Sequence, residues 1–248
     1  MIAAVDVRAA LADVAGFGSF FEVITHPAER ADPTWRPMAD LYADPEPLRA
    51  RIAHVRRMLD GADDRIAASI AFQGLAARVL SAPLAVVVVH GVLPLLTARS
   101  LHWRVSVTGP WPLWVADPAA GPLPDEPAAT AEAFTALVVE EHLAPLVAAV
   151  RAQVPISERL LWGNAASSVA AGKRLIGSAR PGAAVRAARI TDRVLQRGPF
   201  AGSGERLPPS PPDVEWTFRR RSCCLYYRLP GGGICGDCVL GASRAARR

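Results

Sequence analysis

The chain has 248 residues, 51 % of them hydrophobic and 6 % aromatic, and a formal net charge of +5. That length suits one large domain, or one domain with a small appendix, and the apolar half excludes a chain too polar to build a sizeable core. The charge is polarised: residues 1–172 carry 13 Arg against 18 Asp+Glu, residues 173–248 carry 15 Lys+Arg against 5 Asp+Glu, and so basic an end points to an anionic partner.

Abundant alanine and few aromatics lean towards helix. Residues 2–15 read as a short helix ending near Gly16; Asp6 and Asp13 interrupt what would otherwise resemble a secretory leader. Residues 26–47, rich in proline and aspartate, read as a long structured loop. Leu48–Leu59 and Asp63–Leu80 follow as helices, the first stopped by Gly61 and the second capped by Asp63. Val79–Ala98 is free of formal charge, but Pro83, Gly91 and Pro94 break it up, which favours a buried helix or strand over a membrane span. Leu101–Val107 alternates, with Trp103, Val105 and Val107 on one side, and Gly109-Pro110 turns the chain back into Trp111–Val115. This predicts a β-hairpin near 101–116 whose three tryptophans either pack onto helices or wall a ligand cleft.

Ala128–Val150 carries the longest helical pattern: Phe134, Val138, His142, Leu146 and Val150 recur at four-residue steps, and Pro145 should kink it. His142, inside that stripe, reads as a core histidine. Ser157–Ala171 is a further helix. After Pro181-Gly182, Arg186, Arg189, Arg193 and Arg197 share one helical face beside an apolar face of Ala183, Ala187, Ile190 and Val194; they form a solvated ridge or a docking face. Gly198–Pro212 holds five prolines and reads as a linker.

All four cysteines fall within the last stretch. Cys223 and Cys224 are adjacent, ten residues follow, and Cys235 and Cys238 enclose two more. Clustered thiolates suit zinc or an iron–sulfur cluster. Zinc hairpins usually space their cysteines two to four residues apart, which Cys235 and Cys238 satisfy and the adjacent pair does not. A two-iron cluster is a larger object and accepts an adjacent pair more readily. A disulfide pairing is the weaker reading. Gly231, Gly233 and Gly236 imitate a dinucleotide-binding pattern but have no room for the βαβ unit it needs, and Gly172-Lys173 lacks the remaining residues of a phosphate-binding loop.

The Cys223-Cys224, Cys235, Cys238 spacing resembles the C-terminal signature of the FhuF-type ferric siderophore reductases. Leu161-Trp162-Gly163-Asn164-Ala165-Ala166-Ser167-Ser168 and Glu141-His142-Leu143-Ala144-Pro145-Leu146 resemble that family's middle region, so the likeness spans roughly residues 130 to 240. Val239 stands after the last cysteine where the family commonly has proline. The resemblance implies a 2Fe-2S cluster on Cys223, Cys224, Cys235 and Cys238. It also implies one-electron reduction of siderophore-bound Fe(III) with release of Fe(II), by an oxidoreductase whose partners are a ferric siderophore and an external electron donor, not nucleic acid. Arg221 and Arg228 are expected to stabilise the more negative reduced cluster. The expected architecture is mainly α with a small β-hairpin: a helical domain over 1–198, a linker over 199–213 and an irregular cysteine module over 214–248. A cytoplasmic location with peripheral contact to the inner membrane is expected. Two other readings stay open: a zinc-bound basic module that binds nucleic acid or protein, and a ferredoxin-like carrier without a siderophore site.

Overall fold

A helix that is apolar on every side must be surrounded by protein or lipid. Asp64–His90 (α4) is such a helix, with buried residues all around its axis from Ile66 to Val88. Asp63 caps it, its carboxylate accepting the Arg65 amide, and Gly91 ends it in the left-handed region at φ 65°. The computed structural model describes residues 6–241. By length and composition α4 and the 127–153 segment each suffice to cross a membrane, but 78 % of the most apolar window of α4 is buried inside the protein. Helix α4 runs through Pro83, ten residues beyond the expected end at Leu80, and absorbs most of the uncharged stretch.

Among the described residues seven more α-helices accompany it: α1 (Val7–Ala15), α2 (Met38–Ala43), α3 (Pro45–Met58), α5 (Pro127–Val138), α6 (Ala144–Gln153), α7 (Glu158–Ala179) and α8 (Ala184–Val194). Residues 2–5 of the expected first helix lie outside the described residues. Helix α7 is the main partner of α4; Gly172 permits the approach, since a Cβ there would stand 3.0 Å from Leu84 Cδ2. The expected 26–47 loop is partly helical, containing α2 and a short 3-10 turn.

Among the described residues there are also three small antiparallel sheets. The predicted hairpin forms from β3 (Leu101–Trp103) and β4 (Leu113–Val115), with β1 (Arg36–Pro37) added on its edge. It is shorter than the alternation suggested: Val105 and Val107 lie beyond the strand and are exposed. Trp103 and Trp111 stack at 4.7 Å within the main core, while Trp114, also buried, packs beside Trp35 and His102. The second sheet pairs β2 (Leu93–Pro94) with β5 (Ala120–Gly121). The third pairs β6 (Gly204–Leu207) with β7 (Thr217–Arg220), so the expected 199–213 linker contains a strand. Its prolines 208–212 occupy the turn between β6 and β7, where no ladder amide is needed.

The long 128–150 pattern is one helical run with a π-helical turn, Val139–Leu143, between α5 and α6. There the Ala144 amide bonds the Val139 carbonyl five residues back, which accommodates Pro145 in the first turn of α6. The same turn directs His142 into the core. Its Nε2 donates to the Leu96 carbonyl at 2.6 Å and its Nδ1 accepts from the Tyr42 hydroxyl at 2.8 Å. Burial holds His142 below the ordinary histidine value, so the folded chain keeps it neutral while the unfolded chain protonates near about 6.5. The unfolded state then binds more protons as pH falls, and the stability contribution, complete above that pH, declines below it. Replacing His142 with glutamine should cost about 1–3 kcal/mol near neutral pH and flatten the loss of stability towards acid, as read from urea midpoints at several pH values.

Strands β6 and β7 are fastened to α7 by a buried cation. Lys173 Nζ donates to the Trp216 carbonyl, to the Val214 carbonyl at 3.3 Å and to Asp213 Oδ1 at 3.0 Å, and it stands 4.0 Å from the Trp216 ring centroid. Burial opposes the Asp213 charge, but hydrogen bonds from Arg174 and Lys173 outweigh it and hold the carboxyl below its usual value. Lys173→Met leaves two buried carbonyls short of a donor and should lower unfolding stability by about 3 kcal/mol in urea titrations.

Candidate metal centre

Strand alternation builds the site. Along β7 and the residue before it, Trp216, Phe218 and Arg220 point inward while Thr217 and Arg219 point outward. Trp216 and Phe218 enter the main hydrophobic core, and the next inward position carries Arg220 inside, 1 % exposed. Arg219, on the outer side, pairs with Glu205.

A guanidinium buried this deeply needs partners, and Arg220 finds them at its two terminal nitrogens, while its Nε is buried without one. Nη1 of Arg220 donates to Asn164 Oδ1 at 2.8 Å. Nη2 donates to Asp237 Oδ1 at 3.0 Å and to Cys235 Sγ at 2.6 Å. Asn164 on α7 is fully buried, and its Nδ2 donates to the Ser69 hydroxyl at 2.9 Å. Ser69 on α4 in turn donates to the Cys224 carbonyl at 2.8 Å. Ser167, one helical turn beyond Asn164, donates to Asp237 Oδ2 at 2.5 Å. One polar chain therefore joins α4, α7, β7 and both halves of the cysteine segment. The approach is close: a Cβ at Gly163 would overlap Ser222 Oγ, so a side chain there would force Ser222 to rotate away.

All four cysteines are free thiols. Cys224 and Cys235 are brought together, their Sγ atoms 3.7 Å apart. Two thiolates on one tetrahedral metal, each with a bond of about 2.3 Å, stand about 3.8 Å apart. Among the described residues no three His, Cys, Asp or Glu side chains close on a single ion. Cys223 and Cys238 belong to the same patch, near enough for their charges to act on each other. Leu225, at φ 70°, turns the chain back so that its amide donates to Cys223 Sγ at 3.3 Å. The Cys238 amide donates to the Cys235 carbonyl at 3.0 Å, closing the second pair into a tight turn, and the Leu240 amide reaches Cys238 Sγ at 3.4 Å. Four soft sulfur donors, amides aimed at sulfur and one buried cation are a donor set that fits an iron–sulfur cluster.

The electrostatics follow the geometry. Cys224 is brought down to about 5, first by the hydrogen bond from Cys235 and then, against the effect of burial, by the Arg220 charge. Cys235 is pushed up by the same bond and by burial. Burial works against the Arg220 charge, but Asp237 and the two sulfurs outweigh it and hold the guanidinium more firmly protonated than usual. Cys223 is raised, chiefly by burial.

Of the arginines expected at the sulfurs, Arg221 is exposed and Arg228, also exposed, lies near enough to Cys223 for their charges to interact; the residue in direct contact with a sulfur is Arg220. Its signal was the inward alternation of Trp216, Phe218 and Arg220. Arg228 forms a rim with the exposed Tyr226 and Tyr227. Past the end of α8, Arg197 donates to the Ala128 carbonyl and pairs with Glu132, while Arg186, Arg189 and Arg193 on the helix are exposed. Trp111 lines a cavity of about 300 Å³ with Phe20 and Arg51. A second cavity, of about 570 Å³, lies between α3 and α6. Neither of these two is lined by a cysteine.

Comparison with known families returns two matches. Residues 112–202 match the family described as ferric iron reductase FhuF-like transporter, and residues 220–240 match the FhuF 2Fe-2S C-terminal domain. No curated protein matches the chain. The second match covers β7's last residue, the four cysteines and the turn between them, which gives the site its cofactor, a 2Fe-2S cluster. Two segments, one on the helical layer and one on the cysteine patch docked against it, thus match models of the FhuF-type ferric iron reductase family.

Proposed function

We propose that the chain reduces siderophore-bound Fe(III) by one electron and so releases Fe(II). The observation that carries this reading is the close Cys224–Cys235 pair held against Arg220. In this reading Cys223, Cys224, Cys235 and Cys238 would hold the cluster, their four thiolates serving as its terminal ligands. When bound, a 2Fe-2S cluster supplies a one-electron carrier. The residues of the chain do the rest. Ser69, Asn164 and Asp237 fix the sulfurs against α4 and α7, and the amides of Leu225 and Leu240 donate to the two outer sulfurs. The rim of Tyr226, Tyr227 and Arg228 faces outward, where an anionic chelate meets a cation and two aromatic faces.

The substrate chemistry completes the argument. Siderophores hold ferric iron through hard oxygen donors, and ferrous iron is the poorer partner for them. One electron converts the bound Fe(III) to Fe(II), and the metal leaves an intact chelator. That electron comes from an external donor. The setting proposed is the cytoplasm, with peripheral contact at the inner membrane.

The test is iron release from a ferric siderophore, followed with a ferrous-specific chelator under a chemical reductant. Each Cys-to-Ser variant should lose cluster content, with the initial rate of release falling about tenfold or more. Anaerobic protein should carry acid-labile sulfide with its iron. One zinc and no sulfide would replace this reading with the zinc module, and a loaded protein that releases no Fe(II) would replace it with a carrier.

A further inference from the structure

We infer that Arg220 is a positioning residue that sets the reduction potential of the cysteine site. The inference rests on the reading that these cysteines carry the redox centre. Arg220 is 1 % exposed and touches Cys235 Sγ at 2.6 Å, and its charge also acts on Cys224. It is the buried member of the run Arg219-Arg220-Arg221; Arg221 is exposed and Arg219 is turned towards Glu205. Among the described residues its one ion pair is with Asp237.

The physical consequence has a sign. Reduction adds one negative charge to a site of thiolates. A fixed positive charge hydrogen-bonded to one of those sulfurs favours the more negative state, and burial leaves little water to screen it. Asp237 opposes this, since its carboxylate lies on the same guanidinium nitrogen at 3.0 Å. The reduction potential is thus set by a cation and an anion acting in opposition. Electrons balance simply: one enters from the external donor and one leaves to the ferric iron of the chelate. Arg220 stays charged throughout, and no bond within the protein is made or broken. Because the contact falls on Cys235 and Cys224, the added negative charge is favoured on that side of the site.

Anaerobic redox titration of the loaded full chain tests this, with optical and electron paramagnetic resonance detection, alongside iron and sulfide analysis and circular dichroism. Arg220→Gln should lower the equilibrium constant for accepting the electron by about tenfold or more, which is 59 mV for one electron. Arg220→Lys, which keeps the charge, should recover most of that loss. Asp237→Asn removes the opposing carboxylate and should shift the potential the other way. A purely structural role predicts lower loading in all three variants and no such opposition of sign. Loaded R220Q with the parent's potential, or R220Q and D237N moving in the same direction, overturns the inference. If R220Q does not load, D237N decides alone: an upward shift supports the inference, and an unchanged or lower potential overturns it. A parent chain that binds no cluster would instead remove the functional reading beneath it.

Discussion

The structure depends on how one buried guanidinium is satisfied. Leaving the Arg220 charge inside without partners would cost several kcal/mol, and its partners come from three separate parts of the chain. Asn164 comes from α7, Asp237 from the second cysteine turn, and Cys235 from the site itself. Satisfying the arginine therefore docks the cysteine segment and orients its sulfurs in the same event. Asn164 is held in turn by Ser69 of α4. The helix that organises the core is thus also a link in the polar chain that organises the site, since Ser69 goes on to the Cys224 carbonyl.

This joint connects packing with function. Redox centres are tuned by charge, by hydrogen bonds to sulfur and by exposure, and each of the three has a structural origin here. The charge is buried because β7 places every second residue inward behind Trp216 and Phe218. The amide donors come from a left-handed turn at Leu225 and from Leu240, two residues beyond Cys238. The graded exposure arises because one side of the cysteine segment lies on α4 and α7 while Tyr226, Tyr227 and Arg228 face outward. Lys173 performs the mechanical part, clamping the β6–β7 turn to α7 through Asp213 and two carbonyls.

Local rules were legible in the sequence, and long-range pairings were not. Helical periodicity placed α3, α5, α6, α7 and α8, and the stripe through Phe134, Val138 and Leu146 marked His142 as a core residue. Pro83 concealed the second half of α4, because a proline normally argues against a helix interior. Alternation overran the hairpin at Val105 and Val107, since period-2 patterning cannot say where a partner strand ends. Five prolines made 198–212 read as a linker, although β6 precedes most of them and pairs across the turn they form. Lys173 was noticed only as a failed phosphate loop; its clamp depends on Asp213, forty positions away. The cysteines were plain from their spacing. Arg220 was passed over for Arg221 and Arg228, because arginine is ordinarily an exposed residue, although the alternation with Trp216 and Phe218 was there to be read.

The central claim is that electrons stored at the four cysteines leave to ferric iron held by a chelator. A single-turnover experiment tests it most directly: protein reduced anaerobically and freed of reductant is mixed with a ferric siderophore and a ferrous trap. Reoxidation is followed at the cluster's absorption bands and Fe(II) by the trap. The account predicts that the two signals rise together, with one Fe(II) captured for each electron the cluster loses. Reoxidation without Fe(II), or Fe(II) appearing while the cluster stays reduced, would contradict it.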